Sequence, residues 1–232
     1  MQAYNFGQAK KVVSERRKFR REGEEKRRDQ LVAAALDIIA ERGPQAATVR
    51  AIADQAGVTQ GLIRHYFNTK EDLTRAAYHA HMQRINAFSF AALDSAQPTP
   101  QARIAAFVFA SLSAPSMSEG AIGLWSAFLQ MVRRDPTMTT VHEANYLAFR
   151  DRLEGLIAAL PGQCDRSDLR QLAIACTAVI DGLWLEGSAY PEGFAEGELA
   201  DIGARAVGAI LGIDLTRPVH EHPRMTMKEL PL

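Results

Sequence analysis

The chain has 232 residues, of which 47% are hydrophobic and 23% charged, a composition that excludes a wholly disordered chain. The formal net charge of +0 conceals an uneven distribution. Residues 1–85 carry 16 Lys and Arg against 10 Asp and Glu, whereas residues 86–232 carry 11 against 17. We therefore expect only the N-terminal third to contact a polyanion.

The cysteines and the apolar runs indicate the compartment. Cys164 and Cys176 fit no metal or redox spacing, so no disulfide framework is predicted. The apolar run Leu31–Ala40 follows basic residues, as in a signal peptide, but Asp37 interrupts it. No run of about 18 apolar residues is present, so no membrane span is expected. The sequence thus predicts a cytoplasmic protein.

The first predicted element is a polar, basic tail over residues 1–23, which is either a solvated arm or an arm that contacts the DNA backbone or minor groove. Helical periodicity begins at Glu24, and Gly43-Pro44 ends that helix. Its apolar stripe consists of Leu31, Ala34, Ala35, Ile38 and Ile39.

Two short helices and a long one follow. Thr48 is the predicted N-cap of the second helix, and Thr59 that of the third, over Gln60–Phe67. Thr69, with Asp72 three residues later, begins a fourth helix that extends to about Ala92. The buried face of the second helix is predicted to comprise Val49, Ile52, Ala53 and Ala56.

The turn Ala56-Gly57-Val58 joins the two short helices in the manner typical of a helix-turn-helix. Gly57 accommodates a positive φ, and the first and fourth helices must support a helix as short as the third. A plain corner between helices has the same turn. The basic N-terminal third favours DNA binding, because neutralising phosphates is the main source of affinity.

The segment Ala47–Leu73 resembles the DNA-binding signature of the TetR family of repressors. The matching residues are Thr48, Ile52-Ala53, Ala56-Gly57-Val58, Gly61, His65-Tyr66-Phe67, Lys70 and Leu73. The resemblance implies an all-α fold, with a three-helix helix-turn-helix head over 24–85 and a larger helical ligand-binding and dimerisation domain over 86–213. It also implies a repressor that binds double-stranded operator DNA.

The same resemblance implies roles for individual residues. Those expected to meet phosphates are Thr48, Thr59, Tyr66 and Lys70, and those expected at the major groove are Gln60, Gly61, Arg64 and His65. Arg50 is a further candidate for DNA contact. Arg64 has two open interpretations, since Arg binds guanine bidentately or a phosphate. Phe67 is interpreted as a core residue.

Beyond the linker Gln97–Pro100, the pattern predicts further helices and contains no alternation long enough for a sheet. The domain change is placed between Met82 and Pro98, and a loose tail over 214–232. The predicted helices are 101–113, 119–134, 137–160, 167–188 and 196–211.

The second half resembles the C-terminal domain of the choline-responsive Bet repressor branch of the family. The residues that carry this are Trp125, Phe128, Asp135-Pro136, Tyr146, Arg150, Leu153 and the segment Ile180–Leu185. The resemblance implies a small-molecule effector that releases DNA. Aromatic side chains at helical spacing are commonly core residues, but an aromatic cage with a carboxylate would bind a quaternary ammonium ion. The candidate ligand residues are Phe88, Phe107, Trp125, Phe128, Tyr146, Phe149, Asp181 and Trp184. Asp181 is alternatively a structural hydrogen-bonding group.

The last two helices, 167–188 and 196–211, are apolar on broad faces and are expected to form a homodimer. The alternative is burial within one chain. The faces comprise Leu169, Leu172, Ala173, Cys176, Ile180 and Leu183, and Leu199, Ile202, Ala206, Val207 and Ile210. Small residues that would permit close approach are Gly203, Ala204 and Gly208. A two-fold dimer predicts a palindromic operator with half-sites about one DNA turn apart.

The alternative classes of protein are an all-α enzyme and a helical protein-interaction module without DNA binding. The sequence has no phosphate-binding Gly loop, no HExxH and no nucleophile elbow. The pairs His79/His81 and His220/His222 lack further ligands at metal-binding spacing. No cofactor, no metal and no catalytic residue are therefore expected.

Overall fold

The computed structural model describes residues 6–114, 116–117, 119–162 and 166–215. All regular secondary structure in these residues is helical, which confirms the predicted all-α class. The elements are α1 (Phe6–Arg42), α2 (Val49–Ala56), α3 (Gln60–Tyr66), α4 (Lys70–Ser95), α5 (Pro100–Ser111), α6 (Glu119–Val132), α7 (Pro136–Ala158), α8 (Arg166–Ala189), a 3₁₀ turn (Pro191–Gly193) and α9 (Glu198–Leu211). The chain divides into two compact units, Met1–Ala77 and Tyr78–Leu232.

The observed bounds differ from the predicted ones mainly at the N-terminus. Helix α1 begins at Phe6, not at Glu24. Residues 6–23 lack proline and are rich in Lys and Arg, which favour a helix, so their polarity alone did not indicate a flexible tail. The division between the units falls inside α4, eight residues before the predicted boundary at 85/86. Most of the predicted C-terminal tail, from residue 216 on, lies outside the described residues.

The first unit is built on the predicted stripe of α1. Leu31, Ile38 and Ile39 are at most 2% exposed, and Ile52, Ile63 and Phe67 from the next helices are also buried. Val49 and Ala56, predicted to be buried, are half-buried. Phe67 is only 5% exposed, which confirms it as a core residue. The guanidinium of Arg28 lies 5.1 Å from the centroid of its ring, within the range of a cation–π contact.

The second unit is organised around α5, which is buried from Ile104 to Ser111. This helix packs against α7 and α9, and α8 packs against the same two helices. Two glycines make the close packing of α9 possible. A Cβ on Gly203 would lie 2.3 Å from Cδ1 of Leu112, and one on Gly208 would lie 2.6 Å from the carbonyl oxygen of Ile213.

The apolar faces predicted for dimerisation are largely buried within the single chain. On α8 the side chains of Ala173, Cys176 and Ile180 are at most 3% exposed, and on α9 Val207 is fully buried. The other predicted residues of both faces are buried or half-buried. Gly203, Ala204 and Gly208 therefore serve packing inside the unit. A different face of α8 is exposed, and it carries Ile174, Ala178, Gly182 and Leu185.

In the part of the chain that the structure describes, no helix is long and apolar enough to cross a membrane. The same residues contain no group of three or more His, Cys, Asp or Glu side chains placed to hold a metal ion. Cys176 is a buried free thiol, and Cys164 lies outside the described residues.

Candidate nucleic-acid interface and ligand cavity

The predicted helix-turn-helix is formed by α2, Gly57 and α3. Gly57 has φ 64° and ψ 38°, and its amide donates to the carbonyl oxygens of Ala53 and Asp54. A left-handed residue at this position ends α2 and turns the chain, and glycine adopts it without steric cost. The N-caps are as predicted, because Oγ1 of Thr48 accepts from the Ala51 amide at 3.1 Å and that of Thr59 from the Leu62 amide at 3.3 Å.

Helix α4 begins with the predicted capping pair. The Thr69 amide donates to Oδ2 of Asp72 at 3.1 Å, and the Asp72 amide donates to Oγ1 of Thr69 at 3.0 Å. This reciprocal pair satisfies two amides that would otherwise lack partners. It fixes the start of α4 directly after α3.

Seven of the nine candidate DNA-binding residues are exposed: Thr48, Arg50, Thr59, Gln60, Gly61, Arg64 and His65. Tyr66 and Lys70 are half-buried. Nζ of Lys70 donates to the Pro44 carbonyl at 3.4 Å, and the ring of Tyr66 meets that of His65 edge to face at 5.1 Å. Nε of Arg50 lies 3.9 Å from Oδ2 of Asp54, in an exposed and therefore weak ion pair. All nine residues lie in the first unit, on or beside α2, α3 and the start of α4.

The second unit contains a cavity of about 330 Å³, which is within the range of small-molecule sites. The lining residues come from α4 to α8: Met82, Ile85, Asn86, Ser89, Ser111, Trp125, Leu129, His142, Asn145, Tyr146, Phe149, Ile180, Asp181, Gly182, Trp184 and Leu185. No Lys or Arg belongs to this described lining.

Aromatic side chains form part of the wall. The Trp125 and Trp184 rings meet at 73°, with centroids 5.2 Å apart. Nε1 of Trp184 donates to the Ser116 carbonyl at 2.9 Å, which fixes the orientation of that indole. Tyr146 and Phe149, one turn apart on α7, complete the aromatic lining. Two indoles at a wide angle offer π-faces in different directions, the arrangement that suits a compact cation.

Buried polar side chains form another part of the lining. Nδ2 of Asn86 donates to the Asn145 carbonyl at 3.0 Å, and Nδ2 of Asn145 donates to the Val141 carbonyl at 2.8 Å. Oγ of Ser111 donates to the Phe107 carbonyl at 2.8 Å and lies 3.1 Å from Oγ of Ser89. These bonds tie the polar groups to neighbouring backbone, so the lining is organised without a ligand.

Tyr78 and His142 form a hydrogen bond beside the cavity, with the phenol oxygen 2.5 Å from Nδ1. Burial raises the pKa of Tyr78, so the phenol keeps its proton. Burial also lowers the pKa of His142, an effect that the Glu143 carboxylate opposes. The pair is therefore a neutral phenol and a neutral imidazole at pH 7.

Asp181 is the acidic residue of the described lining. The residue is exposed on α8, yet surrounding protein desolvates its carboxyl and raises its pKa to about 6. The structure gives its carboxylate no hydrogen-bond donor among the described residues. Asp181 is therefore ionised at pH 7 and becomes neutral under mildly acidic conditions.

The cavity contains five of the eight candidate ligand residues, namely Trp125, Tyr146, Phe149, Asp181 and Trp184. The other three lie outside its lining. Phe107 and Phe128 are fully buried in the core, and Phe88 packs against Ala92, Ala106 and Ala110. Ligand contact at all eight residues stays a prediction.

The polar lining residues are not among those predicted from the sequence. Asn86 and Ser89 lie one turn apart on α4, and His142 and Asn145 lie one turn apart on α7. Polar residues at helical spacing on an otherwise apolar face were the available signal. They were not singled out, because such residues also occur at solvated positions.

Both units match known families. Residues 31–77 match the model described as bacterial regulatory proteins, tetR family, and residues 100–212 match that described as BetI-type transcriptional repressor, C-terminal. The HTH-type transcriptional regulator BetI of Rhizobium meliloti (strain 1021) is 31% identical over 162 residues, which are 70% of this chain and 78% of the relative.

Solved structures of other regulators have a similar fold. A transcriptional regulator from Pseudomonas aeruginosa PAO1 has a TM-score of 0.74 and 32% identity, covering 82% of this chain and 92% of its own. A regulator from Saccharomonospora viridis, solved in complex with choline, has a TM-score of 0.65 at 18% identity, covering 81% of this chain and 95% of its own.

A capped helix-turn-helix in a basic unit, followed by a helical unit, defines a DNA-binding transcriptional regulator, not an enzyme. The chain belongs to the TetR family of bacterial transcriptional regulators, with a C-terminal part of the BetI type.

Proposed function

We propose that this regulator is a repressor that binds a palindromic operator as a homodimer and is released from it by a small organic cation. The observation that carries the proposal is the cavity of the second unit, where two tryptophans and Asp181 share one lining whose described residues include no Lys or Arg. An aromatic wall attracts a quaternary ammonium ion through its π-faces, and a carboxylate adds the counter-charge. The choline bound to the regulator from Saccharomonospora viridis is a ligand of this class.

Helix α4 suggests how the cavity affects DNA binding. It begins at Lys70, a candidate phosphate contact, and it contributes Met82, Ile85, Asn86 and Ser89 to the cavity lining. We propose that the effector binds more tightly to a conformation whose two heads no longer fit both half-sites. A ligand shifts an equilibrium only by its difference in affinity for the two conformations.

The exposed face of α8 supports the homodimer. Ile174 is 36% exposed and Leu185 is 53% exposed, and both lie on the face that also carries Ala178 and Gly182. Apolar side chains at helical spacing on one exposed face favour burial against a second copy. Because Gly182 and Leu185 also line the cavity, the part of this face that the proposed dimer would cover is the part with Ile174 and Ala178.

Choline is expected to bind the cavity and to release the operator, with an affinity that falls below pH 6. The pKa of Asp181 is raised to about 6, so lowering the pH through that value protonates the carboxylate and removes the counter-charge of the cation. From about pH 7.5 to about pH 5, the ionised fraction falls roughly tenfold, and the affinity should fall with it. Isothermal titration calorimetry measures the affinity, and fluorescence anisotropy of labelled operator measures the release.

Asp181→Asn is the matched variant, since it keeps the shape of the side chain and removes the charge. It should bind choline about tenfold more weakly at pH 7.5 and show no further loss at pH 5. Wild-type protein that holds the operator equally at all choline concentrations, together with no calorimetric signal, would contradict the proposed effector class.

Arg64→Ala is expected to relax the sequence preference at one base pair if Arg64 contacts guanine. A bidentate contact gives about 1–3 kcal/mol of discrimination, whereas a phosphate contact contributes equally on every sequence. Competition binding against operators with single base changes distinguishes the two interpretations. Unchanged preference with a lower salt dependence would assign Arg64 to a phosphate.

A further inference from the structure

Tyr78 on α4 and His142 on α7 hold each other in a fixed geometry. Their rings are nearly parallel, with an interplanar angle of 17° and centroids 6.3 Å apart. The Tyr78 side chain is only 1% exposed, and its ring also packs on that of Phe128 at 4.9 Å. On its other side, His142 stacks with Tyr146 at 6.2 Å and 21°. The imidazole thus contacts two tyrosines, Tyr78 on α4 and Tyr146 on α7, which restrict its orientation.

The direction of the Tyr78–His142 hydrogen bond follows from the protonation states. A neutral imidazole has one donor nitrogen and one acceptor nitrogen, and the protonated phenol is the donor available to it. Tyr78 therefore donates to Nδ1, and the proton of the imidazole resides on Nε2. The bond selects one tautomer of His142.

Nε2 of His142 is free to meet a ligand. The two ring nitrogens point in nearly opposite directions, so Nε2 lies on the side of the ring away from Tyr78. Among the described residues no acceptor is placed for it, and it is not a fully buried atom without a partner. His142 lines the cavity and Tyr78 does not, so the side of the ring away from Tyr78 is the one on which a ligand in the cavity would meet it.

We infer that His142 is a specificity-determining residue, whose Nε2–H donates a hydrogen bond to an oxygen atom of the effector, and that Tyr78 is the positioning residue that keeps this proton on Nε2. The inference rests on the proposed function, because it requires a cation to occupy the cavity. The effector class becomes narrower: a quaternary ammonium ion with a short oxygen-bearing arm, in preference to one with alkyl groups only.

The size of the preference follows from the penalty for an unpaired donor. A ligand without oxygen excludes water from Nε2–H and offers no hydrogen-bond acceptor in its place. A site that hydrogen-bonds a ligand group therefore discriminates against analogues that lack this group. We expect the preference to be about tenfold or more.

Calorimetry with choline chloride and tetramethylammonium chloride tests the inference, because the two cations share the ammonium group and only choline carries a hydroxyl. Wild-type protein should bind choline about tenfold or more tightly. His142→Phe should bind both cations with equal affinity, because it removes the donor that choline pairs and that tetramethylammonium leaves unpaired. His142→Gln, which retains an amide donor near the position of Nε2, should keep part of the preference.

Tyr78→Phe tests the positioning role. The substitution preserves the ring packing and removes only the hydroxyl. In otherwise wild-type protein it should reduce the preference for choline about threefold, and in the His142→Gln variant it should have no effect on that preference. Thermal denaturation of each variant establishes that it is folded. A merely structural role would change both affinities equally.

The outcomes separate this inference from the proposed function. If wild-type protein binds neither cation, the proposed cationic effector and the role inferred for His142 are both refuted. If wild-type protein binds both cations without preferring choline, or if His142→Phe keeps the full preference, only the inference about His142 is refuted. Neither result contradicts the proposed cation-responsive repressor.

Discussion

Gly61→Ala is expected to lower operator affinity about tenfold or more and, at the same time, to leave the folded protein equally stable or more stable. Gly61 is exposed within α3 and has an ordinary helical φ. A Cβ built on it would meet only Oγ1 of Thr59, at 3.8 Å, which is normal van der Waals contact. Alanine in a helix is favoured over glycine by about 0.5–1 kcal/mol, so nothing in the fold explains glycine here.

The remaining explanation is a surface outside the chain. Gly61 lies in the first turn of the helix that the helix-turn-helix presents to the major groove, between the candidate contacts Gln60 and Arg64. A methyl group at that position would hold the helix away from the DNA and weaken several hydrogen bonds together. A loss of about 1.4 kcal/mol corresponds to tenfold in affinity.

Gly155→Ala is the matched control. Gly155 also lies in a helix, is exposed, and has no neighbour within 4 Å of a built Cβ. It should show the same gain in thermal stability without any change in operator affinity. If Gly61→Ala bound the operator as tightly as wild-type protein, the close approach of α3 to the DNA would be refuted.

The fold was predictable wherever local chemistry decided it. Thr48, Thr59 and Thr69 are caps whose side chains bond to nearby amides, and Gly57 adopts the left-handed conformation that its place in the turn requires. Each of these interactions spans only a few residues, so the sequence displays it directly. The start of α1 was mispredicted because the polar sequence of residues 6–23 lacks the apolar periodicity that the prediction relied on.

The cavity was predictable only in part, because the arrangement of five helices decides which side chains face it. Periodicity places Trp125, Phe128 and Phe107 on apolar faces but does not distinguish a filled core from an open space. Only packing shows that Phe107 and Phe128 fill the core while Trp125 and Trp184 border the cavity. The hydrogen bond between Tyr78 and His142 joins residues 64 apart in sequence, so no local sequence pattern predicts it.

The apolar faces of α8 and α9 illustrate the same limit. Two broad apolar helices suggested one external interface, but α8 packs against α7 and α9, and α9 packs against α5 and α8, which buries most of both faces. What is left for a partner is the strip on α8 that includes Ile174 and Ala178. The proposed dimer therefore depends on residues that the apolar pattern alone did not select.

Ile174→Glu is expected to convert the dimer into monomers and to lower operator affinity about a hundredfold or more. Ile174 is 36% exposed in the single chain and does not line the cavity, so a carboxylate there is solvated in the monomer. Across a two-fold interface the substitution would bury two like charges, each without a partner. Once the heads are separated, the second half-site no longer binds within the same complex, and the gain from effective concentration is lost.

Sedimentation equilibrium and operator titration of the same samples provide the measurement. Leu147→Glu is the matched control, because Leu147 is an exposed aliphatic residue, 42% accessible, on a different helix, α7. It should stay dimeric and bind the operator normally. If both variants dissociated, the effect would reflect added negative charge on an already acidic unit, and if Ile174→Glu remained a dimer, the strip on α8 would not be the interface. The two measurements should also change together, since a palindromic operator would gain affinity by binding two heads at once. A monomer that still bound the operator tightly would refute the proposed dimeric repressor.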